Sequence, residues 1–168
     1  MEDLIINKVT QSSLISFHLE DLYDKHERST FDMLQCLFQG LILREKDFRT
    51  FIAEHDWEQY RDKNVSIICS VDAIVPTWAF MLLANKLQPV ANFVYFGSLA
   101  EMDNAMILIA LNKINPADYI DQRVVIKGCG EIAIPTAAYV EITRILTPYV
   151  KSIMYGEPCS TVPIYKKK

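Results

Sequence analysis

Hydrophobic and polar positions follow strand and helix periods most clearly in the second half of the chain. Val65–Val71 is a short, β-branched apolar run, which is typical of a buried strand. Pro76 begins a helix that extends to about Lys86, because proline suits the first helical turn. Ala91–Phe96 is predicted as the returning strand. This order predicts a βαβ unit, in which the two strands run parallel.

Further elements follow with the same periods. Ser98 and Glu101 have the spacing of a capping box and begin a helix that extends to about Leu111. The elements predicted after it are a strand at Arg123–Lys127, a helix from Pro135 to about Leu146 and a strand at Ser152–Tyr155.

The first third of the chain has a weaker pattern. Leu14–Leu22 alternates loosely and is consistent with an early strand, whereas Thr30–Leu43 suits a helix in part and a strand in part. Lys46–His55 is predicted as an amphipathic helix with Phe48, Phe51 and Ile52 on one face. We therefore expect residues 1–60 to form an extension packed on the core.

The second half of the chain repeats itself. When residues 65–97 are placed over residues 124–156 without a gap, identical residues meet at Val65, Ile67, Pro76, Thr77, Ala79, Leu87, Pro89 and Gly97. Chance would give about two identities over such a span, so the pattern predicts an internal duplication. The expected fold is α/β, with one mixed, largely parallel sheet and helices on its faces.

Composition and charge limit the kinds of protein and partner that the sequence is compatible with. The 168 residues suit a single domain, 1–168, and the net charge of −4 argues against a nucleic-acid partner. The only basic run, Lys166–Lys168, is expected to be a solvated tail. The N-terminus has no apolar targeting segment, and no apolar run is long enough to span a membrane. These features predict a cytoplasmic protein, and the 51% hydrophobic content is compatible with a homodimer.

Cysteines and carboxylates follow the predicted strands. In parallel α/β sheets, ligands bind outside the carboxyl ends of the strands. The side chains expected just past those ends are Cys69 with Asp72, Cys129 with Glu131, and Glu157 with Cys159. Cys36 lies inside an apolar stretch and is expected in the core.

Each of these residues also has an ordinary structural explanation. A single cysteine at a strand end is usually a small buried hydrophobe. Asp72 and Glu131 could place a negative charge before a helix N-terminus, which the helix dipole favours. Their convergence at one edge of one sheet is what favours a functional role, more for Asp72, beside Cys69, than for Glu131.

Two chemistries suit this set of residues. Thiolates of Cys129, Cys159 and Cys69, assisted by Asp72, Glu131 or Glu157, could hold zinc or iron. Alternatively, Cys129 could act as a nucleophile or persulfide carrier, because Lys127 supplies a neighbouring cation and the flanking glycines give access to the sulfur. We expect the sulfurs of Cys129 and Cys159 to approach closely enough to share a metal or to form a disulfide on oxidation, and a disulfide requires Cα atoms within about 7 Å.

Several stretches resemble an uncharacterised bacterial family, domain of unknown function 2480, which is best known from Bacteroidetes-type genomes. The stretches that carry the resemblance are His55–Trp57, Cys69–Ala79, Val124–Cys129 and Lys151–Tyr165. Members of the family tend to be encoded near the sulfur-mobilisation system, so the resemblance implies iron–sulfur assembly proteins as partners. It supplies no catalytic residues.

These observations lead to one main hypothesis and two rivals. The main hypothesis is a small accessory protein of iron–sulfur cluster, sulfur or metal metabolism that acts through cysteine thiols and carboxylates. One rival is a non-catalytic interaction module with structural cysteines, and the other is a hydrolase or transferase with an acidic site. The sequence leaves open whether the protein is an enzyme. The histidines lie in polar or amphipathic contexts that indicate surface roles, namely His18, His26 and His55.

Overall fold

The structure, a computed structural model, describes residues 14–127, 130–157 and 160–168. The chain divides into two compact units, each with its own sheet and core. The continuous unit is Lys25–Asp103, and the discontinuous unit is Met1–Asp24 together with Asn104–Lys168.

The described residues form seven strands and four α-helices. The strands are β1 (Leu14–Phe17), β2 (Arg28–Asp32), β3 (Asn64–Ile68), β4 (Phe93–Phe96), β5 (Arg123–Ile126), β6 (Ser152–Glu157) and β7 (Ser160–Lys166). The helices are α1 (Glu45–Glu54), α2 (Thr77–Leu87), α3 (Leu99–Leu111) and α4 (Thr136–Leu146). Short 3₁₀ turns follow β1 and β2 and precede β3 and β5.

The continuous unit contains a three-stranded parallel sheet with the order β2-β3-β4. Helix α1 buries Phe48 and Ile52, as its amphipathic pattern predicts. Helix α2 buries Leu83 and Leu87 in the same hydrophobic cluster, which also contains Val65 of β3. Burial of these apolar side chains holds the helices on the sheet.

The discontinuous unit contains a four-stranded sheet with the order β1-β5-β6-β7. Strands β1, β5 and β6 are parallel, and β7 is antiparallel to β6. Its core includes Ile107 and Leu111 from α3, Ile142 and Leu146 from α4, and Val124 from β5. Among the described helices, none is long and apolar enough to cross a membrane.

The structure confirms the mixed α/β class and the predicted elements of the second half, but the expected single sheet is wrong. Strands β3 and β4 pair with β2, whereas β5 and β6 pair with β1. The described part of the N-terminal region, residues 14–60, therefore contributes one strand to each sheet. Two separate sheets form because the first strands of the two copies pair with different strands of this N-terminal region, β3 with β2 and β5 with β1.

The two copies share local geometry at matching positions. Asp62 and Asp121 both have positive φ angles, 58° and 54°. The backbone N–H of Asp62 donates to the carbonyl of Val90 at 3.0 Å, and that of Asp121 donates to the carbonyl of Tyr149 at 2.9 Å. Edge-to-face ring contacts also occur at matching positions, namely Phe80–Phe96 and Tyr139–Tyr155. Each copy lies within one sheet, and an origin by duplication stays a prediction.

Two local predictions have different outcomes. The capping box is present, since the N–H of Ser98 donates to Glu101 Oε2 at 2.7 Å and the N–H of Glu101 donates to Ser98 Oγ at 3.3 Å. The basic run is exposed to solvent, as expected, but it is not a tail, because Lys166 ends β7 and Lys167 Nζ lies 2.8 Å from Asp121 Oδ1.

Candidate functional site at the carboxyl ends of a parallel sheet

Three parallel strands of the discontinuous unit end at the same side of their sheet. The register pairs Phe17 of β1 with Ile126 of β5, and Ile126 with Tyr155 of β6. His18 and Lys127 follow directly after the first two of these residues, and Glu157 ends β6. Parallel pairing therefore brings a histidine, a lysine and a carboxylate to one sheet edge, where ligands of such folds bind.

Lys127 is held from two directions. Its backbone N–H donates to the carbonyl of Phe17 at 3.0 Å, which extends the β1–β5 pairing by one residue. Its ammonium group forms an ion pair with the carboxylate of Glu157. The two side chains are 23% and 40% exposed, so the pair lies at the surface of the edge and is open to solvent. The ammonium group therefore has a defined position and remains accessible to an incoming anion.

Glu20 fixes the loop that follows β5. Its Oε1 atom accepts a hydrogen bond from the backbone N–H of Ile132 at 3.0 Å. The same oxygen lies against Gly130, where an added Cβ would stand only 1.5 Å from it. A larger residue at Gly130 would push the carboxylate away and break its bond to Ile132. The absence of a side chain at Gly130 is therefore what lets the carboxylate hold this loop.

A cavity of about 20 Å³ lies beneath this edge. Its lining comprises His18, Leu19, Glu20, Lys127, Gly130, Ile132, Ile134 and Tyr139. This volume holds about one water molecule. The cavity is thus too small for a substrate, which would have to bind at the open edge of the sheet.

The predicted site residues do not all belong to this edge. Glu157 lies at it, and Glu131 is an exposed residue of the loop held by Glu20. Cys129 and Cys159 lie outside the described residues, so their close approach stays a prediction. Among the described residues, no group of three or more His, Cys, Asp or Glu side chains could hold a metal ion.

Cys69 and Asp72 belong to the other sheet. They follow β3 in the continuous unit, so the expectation that all these residues share one edge of one sheet is wrong. The thiol of Cys69 donates to the carbonyl of Val71 at 3.3 Å, and the side chain packs against the core cluster. Asp72 is exposed. The structural explanation therefore fits Cys69 better than ligation does.

Cys36 is a core residue, as predicted. It is 8% exposed, and burial, together with the nearby charge of Asp32, raises the pKa of its thiol to about 12. A thiol with this pKa is protonated at neutral pH and is a poor nucleophile.

Two residues of this site could not be assigned to it from the sequence. His18 and Glu20 follow β1, and their role depends on β1 pairing with β5, a strand more than a hundred residues away. The loose alternation of Leu14–Leu22 was the available signal. It indicated a strand but not the strand's partner.

The continuous unit has no lysine–carboxylate pair at the matching positions. Ile68 occupies the position of Lys127, Val71 that of Gly130, and Ser98 that of Glu157. The shared fold therefore does not require a lysine–carboxylate pair at this place. The lysine–carboxylate pair is therefore a feature of the discontinuous unit, whereas the same edge of the continuous sheet carries Asp32, whose carboxylate accepts from the N–H of Ser70.

Comparison with known proteins gives a family but no activity. No curated protein and no solved structure matches the chain. The family model described as "Protein of unknown function (DUF2480)" matches residues 3–167. Since this match covers nearly the whole chain, the protein belongs to the DUF2480 family.

Proposed function

We propose that the protein is a cytoplasmic accessory protein of sulfur or iron–sulfur metabolism that carries sulfur as a persulfide on Cys129. The observation that carries the proposal is the anchored Lys127–Glu157 ion pair at the carboxyl edge of the discontinuous unit. Lys127 precedes Cys129 by two residues, and Glu157 precedes Cys159 by two. Iron–sulfur assembly proteins are the proposed partners.

Charge favours sulfur transfer over metal binding at this edge. A thiolate and a persulfide are anions, and a neighbouring ammonium group stabilises them. The same ammonium group would repel a metal cation. It is also already ion-paired with Glu157, one of the carboxylates proposed to assist metal binding. Of the two chemistries that the sequence allows, the persulfide carrier is the one that Lys127 supports.

The transfer step balances without an added oxidant. The Cys129 thiolate attacks the outer sulfur of a donor persulfide, so a new sulfur–sulfur bond forms at Cys129. The sulfur–sulfur bond of the donor breaks, and its electron pair leaves with the donor thiolate. Cys159 would then attack the inner sulfur of the Cys129 persulfide, releasing hydrosulfide and leaving a disulfide. The accessible ammonium group of Lys127 would stabilise the anions at each stage.

A persulfide-loading experiment tests the proposal. The protein is purified anaerobically, incubated with a small-molecule persulfide donor, alkylated and digested, and each cysteine is examined by mass spectrometry. We expect persulfide on Cys129 in the native chain and none in Cys129→Ser. Cys69→Ala is the matched control, because Cys69 packs in the other unit, and it should load like the native chain.

Two other results would overturn the proposal. A stoichiometric metal in the anaerobic protein that is lost in Cys129→Ser would assign the thiols to metal binding. Thiols that neither load nor react in the folded chain, but react after denaturation, would support an interaction module with structural cysteines.

A further inference from the structure

The opposite end of the same strands carries a groove with a different character. It has a volume of about 340 Å³ and lies in the discontinuous unit, where β5 and β6 begin and β7 ends. Its lining comprises Arg123, Lys151, Ser152, Met154, Pro163, Tyr165 and Lys166. Three of these seven side chains are cations, and none is an acid.

Strand register aligns the polar side chains of the groove. Arg123 of β5 pairs with Ser152 of β6, and Ser152 pairs with Lys166 of β7. Paired residues on neighbouring strands point to the same face of a sheet. Since strands are about 4.8 Å apart, the two cationic residues begin about 10 Å from each other. Their long side chains can therefore reach the same bound anion, with the Ser152 hydroxyl between them.

Among the described residues, the cations of the groove are not held in ion pairs. In the part of the chain that the structure describes, Arg123, Lys151 and Lys166 form no ion pair. Asp121 is already bound to Lys167, whose hydrogen bond and charge lower the pKa of the Asp121 carboxyl group, with a further contribution from Lys151. The groove thus keeps a positive charge on a chain whose net charge is −4.

The fold itself does not require these cations. When the two copies are aligned, Asn64 of the continuous unit occupies the position of Arg123, and Asn92 occupies that of Lys151. The Asn92 side chain donates a hydrogen bond to Asn64 Oδ1 at 2.7 Å, and the nearby cations Arg28 and Lys63 each have an acidic partner, Asp103 and Glu27. Like charges held close together oppose folding. Three unpaired cations at one edge and none at the other therefore indicate a ligand.

We propose that this groove binds a small organic phosphate. Arginine, lysine and hydroxyl groups are the usual partners of phosphate oxygens, and Arg123, Lys166 and Ser152 supply all three. Met154 and Pro163 give an apolar surface for the organic part of the ligand. The volume is near the lower end of the range of small-molecule sites, about 300–1,000 Å³, and exceeds what an inorganic ion needs.

An NMR titration tests the proposal with three probes. The probes are phenyl phosphate, inorganic phosphate and citrate, added to the full chain at low salt. We expect saturable shifts of the amides of Arg123, Ser152 and Tyr165, with phenyl phosphate binding more tightly than the other two. The double variant Arg123→Gln/Lys166→Gln should bind at least about tenfold more weakly, because it loses two charge-assisted contacts.

Controls separate a site from general attraction. Lys113→Gln removes an exposed lysine of the same unit that does not line the groove, and it should leave binding unchanged. Circular dichroism checks that each variant is folded. If the double variant is unfolded, the single variants Arg123→Gln and Lys166→Gln are titrated in its place. The proposal is overturned if no probe gives saturable shifts or if the double variant binds like the native chain. It is also overturned if citrate or an added acidic peptide binds more tightly than phenyl phosphate.

Discussion

The contact between Glu20 and the loop after β5 supports a quantitative prediction. Glu20→Ala removes the acceptor of the Ile132 N–H, and Gly130→Ala places a Cβ where the carboxylate now lies. Both changes should therefore break the same hydrogen bond. We expect their effects on the free energy of unfolding to be strongly non-additive.

The magnitudes follow from this geometry. A hydrogen bond to a charged acceptor contributes about 1.5–3 kcal/mol, and this bond is only partly buried, so Glu20→Ala should cost about 1.5 kcal/mol. Gly130→Ala should cost about 1 kcal/mol, because alanine also restricts the unfolded chain and so recovers part of the loss. Without the Glu20 carboxylate, Gly130→Ala meets no obstacle and should be nearly neutral. The double variant should thus be more stable than the sum predicts by about 1 kcal/mol.

The assay must report on the discontinuous unit. Both tryptophans, Trp57 and Trp78, belong to the continuous unit, so tryptophan fluorescence does not observe this unit directly. Urea unfolding followed by far-UV circular dichroism gives the four free energies. Hydrogen exchange of the Ile132 amide checks the local bond, and exchange should accelerate in each single variant. Additive costs, or an Ile132 amide that keeps its protection in Glu20→Ala, would refute the reasoning.

Two further predictions concern the continuous unit and the matching cores. Burial lowers the pKa of His55 from its usual value of 6.5, with the charge of Asp56 opposing this shift. Between the folded and the unfolded pKa of His55, the unfolded chain therefore binds more protons than the folded chain. The free energy of unfolding should fall as the pH drops below about 6.5 and should level off once the pH is below the folded pKa. Urea unfolding followed by tryptophan fluorescence should show this loss in the native chain and a smaller one in His55→Gln, and equal losses would contradict it. Leu83→Ala and Ile142→Ala each remove a fully buried side chain at matching positions and should each cost about 2–5 kcal/mol in urea unfolding. A cost below about 1 kcal/mol at either position would show that its core is not packed as described.

Local sequence signals predicted the elements better than their pairing. Pro76 and Pro135 directly precede α2 and α4, and Ser98 begins α3 through its capping box, because these residues act within one helical turn. Strand β7 was missed because Pro163 interrupts its apolar pattern. Proline is tolerated there because β7 lies at the edge of its sheet.

The arrangement in two sheets could not be predicted from the same signals. A strand such as Arg123–Ile126 has the same local pattern whichever strand it pairs with. Its partner β1 is distant in the chain and only four residues long. For the same reason, Glu157 could be predicted at a strand end, but its ion pair with Lys127 and the contribution of His18 and Glu20 could not.

The alkylation rate of Cys129 as a function of pH shows whether Lys127 activates this thiol for sulfur transfer. Iodoacetamide labelling of the anaerobic protein, followed by peptide mass spectrometry, gives the pKa of this thiol in the native chain and in Lys127→Met, with Lys113→Met as the control. We expect a Cys129 pKa below the usual value of about 8.5 in the native chain, a higher pKa in Lys127→Met and an unchanged pKa in Lys113→Met. A native Cys129 pKa at or above about 8.5, or one that Lys127→Met leaves unchanged, would contradict sulfur transfer by a thiolate that Lys127 stabilises.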